Sequence, residues 1–420
     1  MEQIQRQISY KILFSLPVVV AALGYFVDVY DLVLFGIVRV KSLIELGFTE
    51  LETQTIGGQI MNWQMGGLLL GGILWGVLGD KKGRLAVLFG AILIYSLANL
   101  ACGLLPYLPK DKELLTTTYI ALRFIAGIGL AGELGAGITL VAEILPKELR
   151  AIGTSIVAGF GLSGAVFANL TYLGTGENWS ISYFIGGGMG VCLLFLRVGV
   201  LESGIFSHIK QSKVSRGNFF LFFTNYKRML KYLKCIAIGI PTWFCIGILA
   251  MKADEFGLAL GIDGITPGDA IMWGYVGISF GDLFSGFLSH WLKSRRWAIF
   301  WMIFFTSISV IWLLTGNVHT KTMYYVICVW FGFGTGYWAM FVTLSAEQFG
   351  TNIRSTATTT IPNFVRGTVI LMTILFNYFK SINVSVLNSA FIVGGIVFLL
   401  CLIALFTSEE THGKDLDFIE

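Results

Sequence analysis

Runs of apolar residues, each about twenty positions long and closed at both ends by charged or turn-forming residues, recur along the whole chain. Read between their flanking charges, they fall at 12–38, 56–79, 85–105, 117–142, 151–173 and 179–200. A polar stretch from Leu201 to Lys234 follows, and a second set runs at 235–251, 267–290, 297–317, 322–344, 356–380 and 386–407. A helix rising about 1.5 Å per residue crosses a hydrocarbon core of roughly 30 Å in about 20 residues, so each run predicts one spanning helix. The pattern predicts an all-α integral membrane protein with twelve transmembrane helices. An N-terminal six-helix bundle is expected over 1–200, a cytoplasmic linker over 201–234, and a C-terminal six-helix bundle with a short cytoplasmic tail over 235–420. The first apolar run is longer than a signal-peptide core and is expected to remain as a helix.

Composition supports this. Residues of the set AVILMFWYC make up 55% of the chain and charged residues 13%, with a mean hydropathy of +0.76. Soluble domains carry about 25% charged residues, so most of this surface faces something other than water. The lengths leave no room for a sizeable soluble catalytic domain. A net charge of +4 is small and bears on orientation, not on nucleic acid, and no nucleic-acid partner is expected. The six cysteines stand singly in apolar runs and the four histidines lie in or beside loops, so no metal site, cofactor or Ser/His/Asp set converges and an enzyme is not expected. Of the 29 Lys and Arg, nineteen lie on the segments that share a side with the N-terminus and seven on the opposite segments. The positive-inside rule then puts both termini in the cytoplasm. The expected location is the plasma membrane, the inner membrane in a bacterium, with the lipid bilayer, protons and a small-molecule substrate as partners and the monomer as the working unit.

The two halves repeat. Ala142-Glu143-x-x-Pro146-x-x-x-Arg150 returns as Ala346-Glu347-x-x-Gly350-x-x-x-Arg354, each just after the fourth helix of its half. Gly76-x-x-x-Asp80 with Gly83-Arg84 returns, degraded, as Gly286-x-x-x-His290 with Ser294-Arg295-Arg296, and Leu201-Glu202-Ser203 is echoed by Glu409-Glu410-Thr411. Two related bundles with a midplane site between them are the arrangement of a rocking transporter.

These residues resemble the major facilitator superfamily. Gly76-Val77-Leu78-Gly79-Asp80-Lys81-Lys82-Gly83-Arg84 is similar to its loop 2–3 signature, and Arg123-x-x-x-Gly127-x-Gly129 to its helix 4 signature. Glu410-Thr411-His412-Gly413-Lys414-Asp415-Leu416 resembles the sugar-porter tail, and Asp28-Val29-Tyr30-Asp31 resembles a helix 1 motif of metabolite:proton symporters. The resemblance covers essentially the whole chain. It implies that a helix 1 acid and the helix 4 arginine work together in proton coupling, and that Asp80 faces the N-terminus of helix 11. His290 stands where the family usually has an acid, so the symmetrical role does not carry over to the second copy.

An ionisable group inside a span costs several kcal/mol unless it is paired or wetted, and so marks function by default. Six qualify: Asp28, Asp31, Arg123, Glu133, Asp282 and Arg366. From the helical rise, Asp28 and Asp31 lie roughly 24 and 28 Å up helix 1, and Arg123 about 9 Å down helix 4. Asp31 and Arg123 are therefore expected to meet as carboxylate and guanidinium. Asp28 and Asp31, at i and i+3, cannot easily both stay charged, so one is poised to take a proton; the alternative is a permanent ion pair that fixes helix 1 to helix 4. Glu133 is either a second proton or substrate site or the partner of a neighbouring helix. Arg366 is read as the one cation near the midplane, with a fork that suits a substrate carboxylate; the alternative is an internal pair with Asp282.

Asn62 and Gln64 in helix 2, Tyr337 and Trp338 in helix 10 and Asn363 in helix 11 can shape a substrate cavity. The helix 4 glycines permit close helix contact and are not a phosphate loop. On the cytoplasmic side Asp80, Arg84, Glu143, Arg150, Glu347, Arg354 and Glu410 form an expected gate, in which Arg84 pairs with Glu143 and Arg354 with Glu410 or Glu347. Together these residues point to a proton-coupled symporter of a small polar organic solute working by alternating access. Carboxylates and zwitterions fit Arg366 best, and sugars fit the tail motif. The alternatives are a proton-driven exporter of a small metabolite, although Gly159-Phe160-Gly161-x-x-Gly164 lacks the proline of the antiporter helix 5 signature, and a non-transporting sensor of the same fold.

Overall fold

The computed structural model describes residues 12–82, 84–135, 137, 141, 145, 150–202, 219–350 and 353–411; the side chains of 80, 84–85, 150–155, 198–202 and 355 also lie outside the description. Twelve long helices follow one another: α1 Leu16–Glu45, α2 Glu50–Lys82, α3 Arg84–Gly103, α4 Lys112–Leu130, α5 Arg150–Gly174, α6 Trp179–Glu202, α7 Tyr226–Phe244, α8 Pro267–Leu292, α9 Arg295–Leu314, α10 in two pieces (Lys321–Thr335 and Trp338–Glu347), α11 Arg354–Ser381 and α12 Val386–Thr407. No strand occurs among the described residues. Eleven helices among those residues are long and apolar enough to cross a membrane. The twelfth, α2, has the length, at 33 residues, but carries Gln59, Asn62, Gln64 and several glycines. It packs between α4 and α11, where Gln64 is buried against protein, accepting from Arg123 and donating to the Leu32 carbonyl, while Gln59 stands exposed.

Several helices run past the charges that end the apolar runs. α1 continues to Glu45, beyond the expected stop at 38, because Arg39 is buried against Asp254 at 2.6 Å and Ser42 is buried behind it. α7 starts at Tyr226, where the Asn225 side chain accepts from the Lys227 amide, so the last nine residues of the expected linker are helical. Charges at membrane-helix ends are carried on long stems and do not terminate the backbone ladder. Side-chain caps mark other starts: Asp111 on α4, Thr266 on α8, Ser294 on α9 and Ser385 on α12.

Large apolar side chains stand exposed along the outer faces, among them Phe287 and Trp291 on α8, Phe304 and Ile308 on α9, and Leu399 and Ile403 on α12. In water such a surface would aggregate; in a bilayer it is the solvated one. Helices inside approach closely through glycine. A Cβ on Gly127 of α4 would collide with the Gln64 carbonyl of α2, so the helix 4 glycine pattern serves packing there.

Four helices near the centre are irregular. α4 ends its regular ladder at Leu130, with Ala131 as its C-cap. α7 contains Pro241, which lacks a backbone donor, and continues as wider π-type turns over Cys245–Ala250. α10 breaks at Gly336–Tyr337, and α11 contains Pro362. Below, the near face is the side where α1 begins and α12 ends, and the far face is the opposite side.

Candidate functional site

The first six helices meet the last six where α5 packs on α8, α2 on α11 and α1 on α8. Between them is a cavity of about 20 Å³ with an aromatic wall of Tyr25 from α1, Trp243 from α7, Tyr275 from α8 and Trp338 from α10. Thr242 supplies a hydroxyl and Arg366 of α11 a cation; the rest of the lining is aliphatic. That volume admits about one water molecule, so an organic solute enters only if helices move. The breaks in α7, α10 and α11 lie beside the residues that form the wall.

Arg366 is 2% exposed. Its Nη1 donates to Asn363 Oδ1 at 3.2 Å, its guanidinium stands 6.0 Å from the Trp243 ring centre, and its Nε has no hydrogen-bond partner among the described residues. The alternative pair with Asp282 is not formed: no ion pair joins the two among the described residues. Asp282 Oδ1 instead accepts from the Ala339 amide at 3.0 Å. It thereby caps the second piece of α10, where the break leaves amides without helical acceptors. Asn363 does not line the cavity, and neither does Tyr337, whose hydroxyl donates to the Ile238 carbonyl at 2.8 Å. Trp338 does line it.

Arg123 is buried and fully engaged: Nη1 donates to Asn99 Oδ1 at 2.7 Å, Nε to Gln64 Oε1 at 3.2 Å and Nη2 to the Asp31 backbone carbonyl at 3.1 Å. The expected meeting with Asp31 therefore occurs through the backbone and not through the carboxylate. Depth along the helix placed the two residues at one level, and the side-chain direction decided which atoms meet. Both carboxyl groups, of Asp28 and of Asp31, are buried without a hydrogen-bond partner among the described residues, Asp31 in the field of Arg123 beside Asn99, and Asp28 in that of Arg366. Gln64 also donates to the Leu32 carbonyl at 3.0 Å, whereas the Asn62 side-chain oxygen is buried and unpaired among the described residues.

Glu133 pairs with Arg197 of α6 in a two-pronged ion pair, and Arg197 also donates to the Leu88 carbonyl at 3.0 Å. Arg366 is thus not the only buried cation near the centre. Arg197 is only 4% exposed, although its place near the end of an apolar run made it look like a boundary charge. A fold-independent signal existed: Glu133 needed a partner, and Arg197 was an intramembrane cation left unassigned. Tyr25, Trp243 and Tyr275 were also missed, because aromatic side chains are so frequent here that sequence does not separate cavity from core.

Among the expected gate residues, the side chains of Asp80, Arg84, Glu143 and Arg150 lie outside the described residues. Glu347 accepts from Arg295 at 3.3 Å and from the Thr411 hydroxyl at 2.6 Å. Glu410 accepts from the Ser294 hydroxyl and the Arg295 amide and lies 3.9 Å from Arg296. The tail motif thus docks on the second copy of the loop motif. Arg354, the expected partner, donates Nε to the Ala346 and Phe349 carbonyls at 3.0 and 3.1 Å.

Twelve such helices, irregular around a cavity shared between two halves, define a multi-pass membrane protein of the transporter type. The chain belongs to the Major Facilitator Superfamily, whose profile matches residues 21–369. It is 32% identical over 170 residues to the niacin transporter NiaP of Acinetobacter baylyi, an alignment covering 40% of this chain and 36% of that protein. It is 25% identical over 345 residues to a "Probable 4-methylmuconolactone transporter" of Cupriavidus pinatubonensis, covering 79% of this chain and 76% of that one. The alignments to the first curated relatives span less than half of those proteins' lengths. The proton:xylose symporter XylE of E. coli superimposes with a TM-score of 0.71 at 17% identity, over 97% of this chain and 98% of that one, and so shares the fold.

Proposed function

We propose that this protein is a proton-coupled symporter that carries a small organic carboxylate or zwitterion across the plasma membrane by alternating access, with both termini in the cytoplasm. One observation carries the reading: Arg366 is a buried guanidinium at the wall of an aromatic cavity, hydrogen-bonded to one amide and, among the described residues, to no acid. A cation in low dielectric without an ionic partner gains most from an anion delivered to it, and the planar fork suits a carboxylate. Niacin and 4-methylmuconolactone, named for two relatives, are both carboxylic acids. A sugar would find few hydrogen-bonding groups on a wall made mainly of aromatic and aliphatic side chains.

In this reading Asp28 and Asp31 exchange the coupled proton: both carboxyl groups are buried and, among the described residues, no hydrogen bond holds either in one charge state, with Asp28 in the field of Arg366 at the cavity wall and Asp31 in that of Arg123. Glu133 serves structure through Arg197, and Gln64 and Asn99 hold Arg123 in place. The cavity is completed within one chain, so the monomer is the working unit. For a monoanion moving with one proton the electrical terms cancel, and the pH difference alone drives accumulation. Counterflow in proteoliposomes with a panel of carboxylates, amino acids, betaines and sugars tests the proposal. Exchange of a carboxylate or zwitterion, coupled to proton uptake, is expected; exchange of sugars alone overturns the substrate class, and transport of a carboxylate without proton movement overturns the coupling.

A further inference from the structure

Asn363 is joined on both sides of its amide. Its Oδ1 accepts from Arg366 Nη1 at 3.2 Å. Its Nδ2 donates to the Ala131 carbonyl of the first six helices at 2.9 Å and to the Thr359 carbonyl of its own helix at 2.8 Å. With an arginine donor on one side and carbonyl acceptors on the other, the amide has one orientation that satisfies all three contacts. Ala131 is the C-cap of α4, where carbonyls run out of helical donors; one turn earlier the Trp75 indole serves the Ile128 carbonyl in the same way, at 2.6 Å.

The surroundings make this a seam between the halves. A Cβ on Gly72 of α2 would lie 3.0 Å from the Asn363 Cβ, and a Cβ on Gly76 would lie 3.5 Å from the Thr360 side chain. Just past the end of α4, Gly135 faces Thr359. All these contacts lie on the near-face side of Arg366, since α11 runs from the near face at Arg354 through Asn363 to Arg366. Next to Asn363 stands Pro362, which removes one backbone bond from α11 there.

We infer that Asn363 is a positioning residue that couples the state of Arg366 to closure of the near-face seam. With Arg366 bonded to its oxygen, the amide points its nitrogen at Ala131 and holds α11 against α4. An anion that draws the guanidinium away frees the amide to rotate, which weakens the one side-chain hydrogen bond that Asn363 makes across the seam. Ligand binding and opening on that side are then linked through a two-state contact. The part that concerns an anion rests on the proposed function; the link between Arg366 and the seam does not.

The test therefore needs no ligand. In a background with the exposed Cys192 replaced by Ser, Thr360→Cys places a thiol at the seam, where Thr360 is fully buried. Its modification by an impermeant maleimide from the near face reports opening. Asn363→Ala should speed labelling about two- to tenfold, the shift that loss of one hydrogen bond brings. Asn363→Asp, which keeps an acceptor for Arg366 but has no donor for Ala131, should do the same. Arg366→Met should speed labelling in the Asn363 protein and add nothing in the Asn363→Ala protein. Additive effects of the two changes, or unaltered labelling in Asn363→Asp, overturn the inference even if carboxylate counterflow succeeds. Failure of counterflow, with labelling as expected, overturns the proposed function and leaves the link in place.

Discussion

The Arg123 guanidinium donates to the backbone carbonyl of Asp31, and the Asp31 carboxyl is left without a hydrogen bond among the described residues. Arg123 is meanwhile anchored by Asn99 and Gln64, so its position does not depend on the charge of Asp31. Under the proposed coupling, a proton comes and goes on the carboxyl without releasing the guanidinium, so coupling and structure are separable at this site.

It follows that Asp31→Asn should abolish accumulation driven by a pH gradient and keep substrate exchange measurable, with little change in thermal stability. Exchange and gradient-driven uptake measured on the same proteoliposomes check this. Full uptake by the variant, with Asp28 intact, would remove Asp31 from the coupling role.

Arg366→Lys keeps the charge but loses the fork, and binding of a carboxylate substrate should weaken roughly ten- to hundredfold, the worth of a charge-assisted hydrogen bond. Because Arg366 and Asp282 are not paired, the double change Arg366→Gln with Asp282→Asn should not restore binding. Calorimetry on both proteins decides, and near-native affinity in the double variant would show that the two charges only neutralise each other.

Glu133→Gln should destabilise the protein by about 3–5 kcal/mol, because it leaves the Arg197 cation buried without its acid. Adding Arg197→Met removes that unpaired charge and should recover most of the loss. Thermal unfolding in detergent measures it; an unaffected single variant would mean that water reaches the pair.

On the far face, outside the spans, burial acts to raise the Glu255 carboxyl, but Lys252 at 2.8 Å and Lys380 at 2.5 Å outweigh it and hold it down at about 2, below the ordinary 4.5. A depressed carboxylate contributes stability that is present above its unfolded value and is lost as pH falls through the folded one. The stability advantage of the parent over Glu255→Gln should thus be constant above about pH 4.5 and shrink between about 4.5 and 2. Melting temperatures of both proteins across that range check it, and a pH-independent difference would show that Glu255 acts through packing alone.

The spacing of apolar runs was sufficient for twelve helices and the all-α class, because a bilayer permits few ways to satisfy a backbone and hydropathy reports them directly; the family was legible in short motifs at the helix ends. It also singled out Asp28, Asp31, Arg123, Glu133 and Arg366, since a charge inside an apolar run is visible without any fold. What those charges touch was settled only by tertiary structure. Asp31 and Arg123 share a level, yet the direction of each side chain put the guanidinium on a carbonyl. Arg197 looked like a boundary charge until α6 packed on α3 and brought it to Glu133, just past the end of α4. Asp282 became a cap because α10 breaks, and Asn363 became a link between the halves because glycines let α2 and α11 approach. Rise per residue gives depth along one helix; rotation about that helix, and the neighbour it faces, follow from packing among helices distant in the chain, and the local sequence does not contain them.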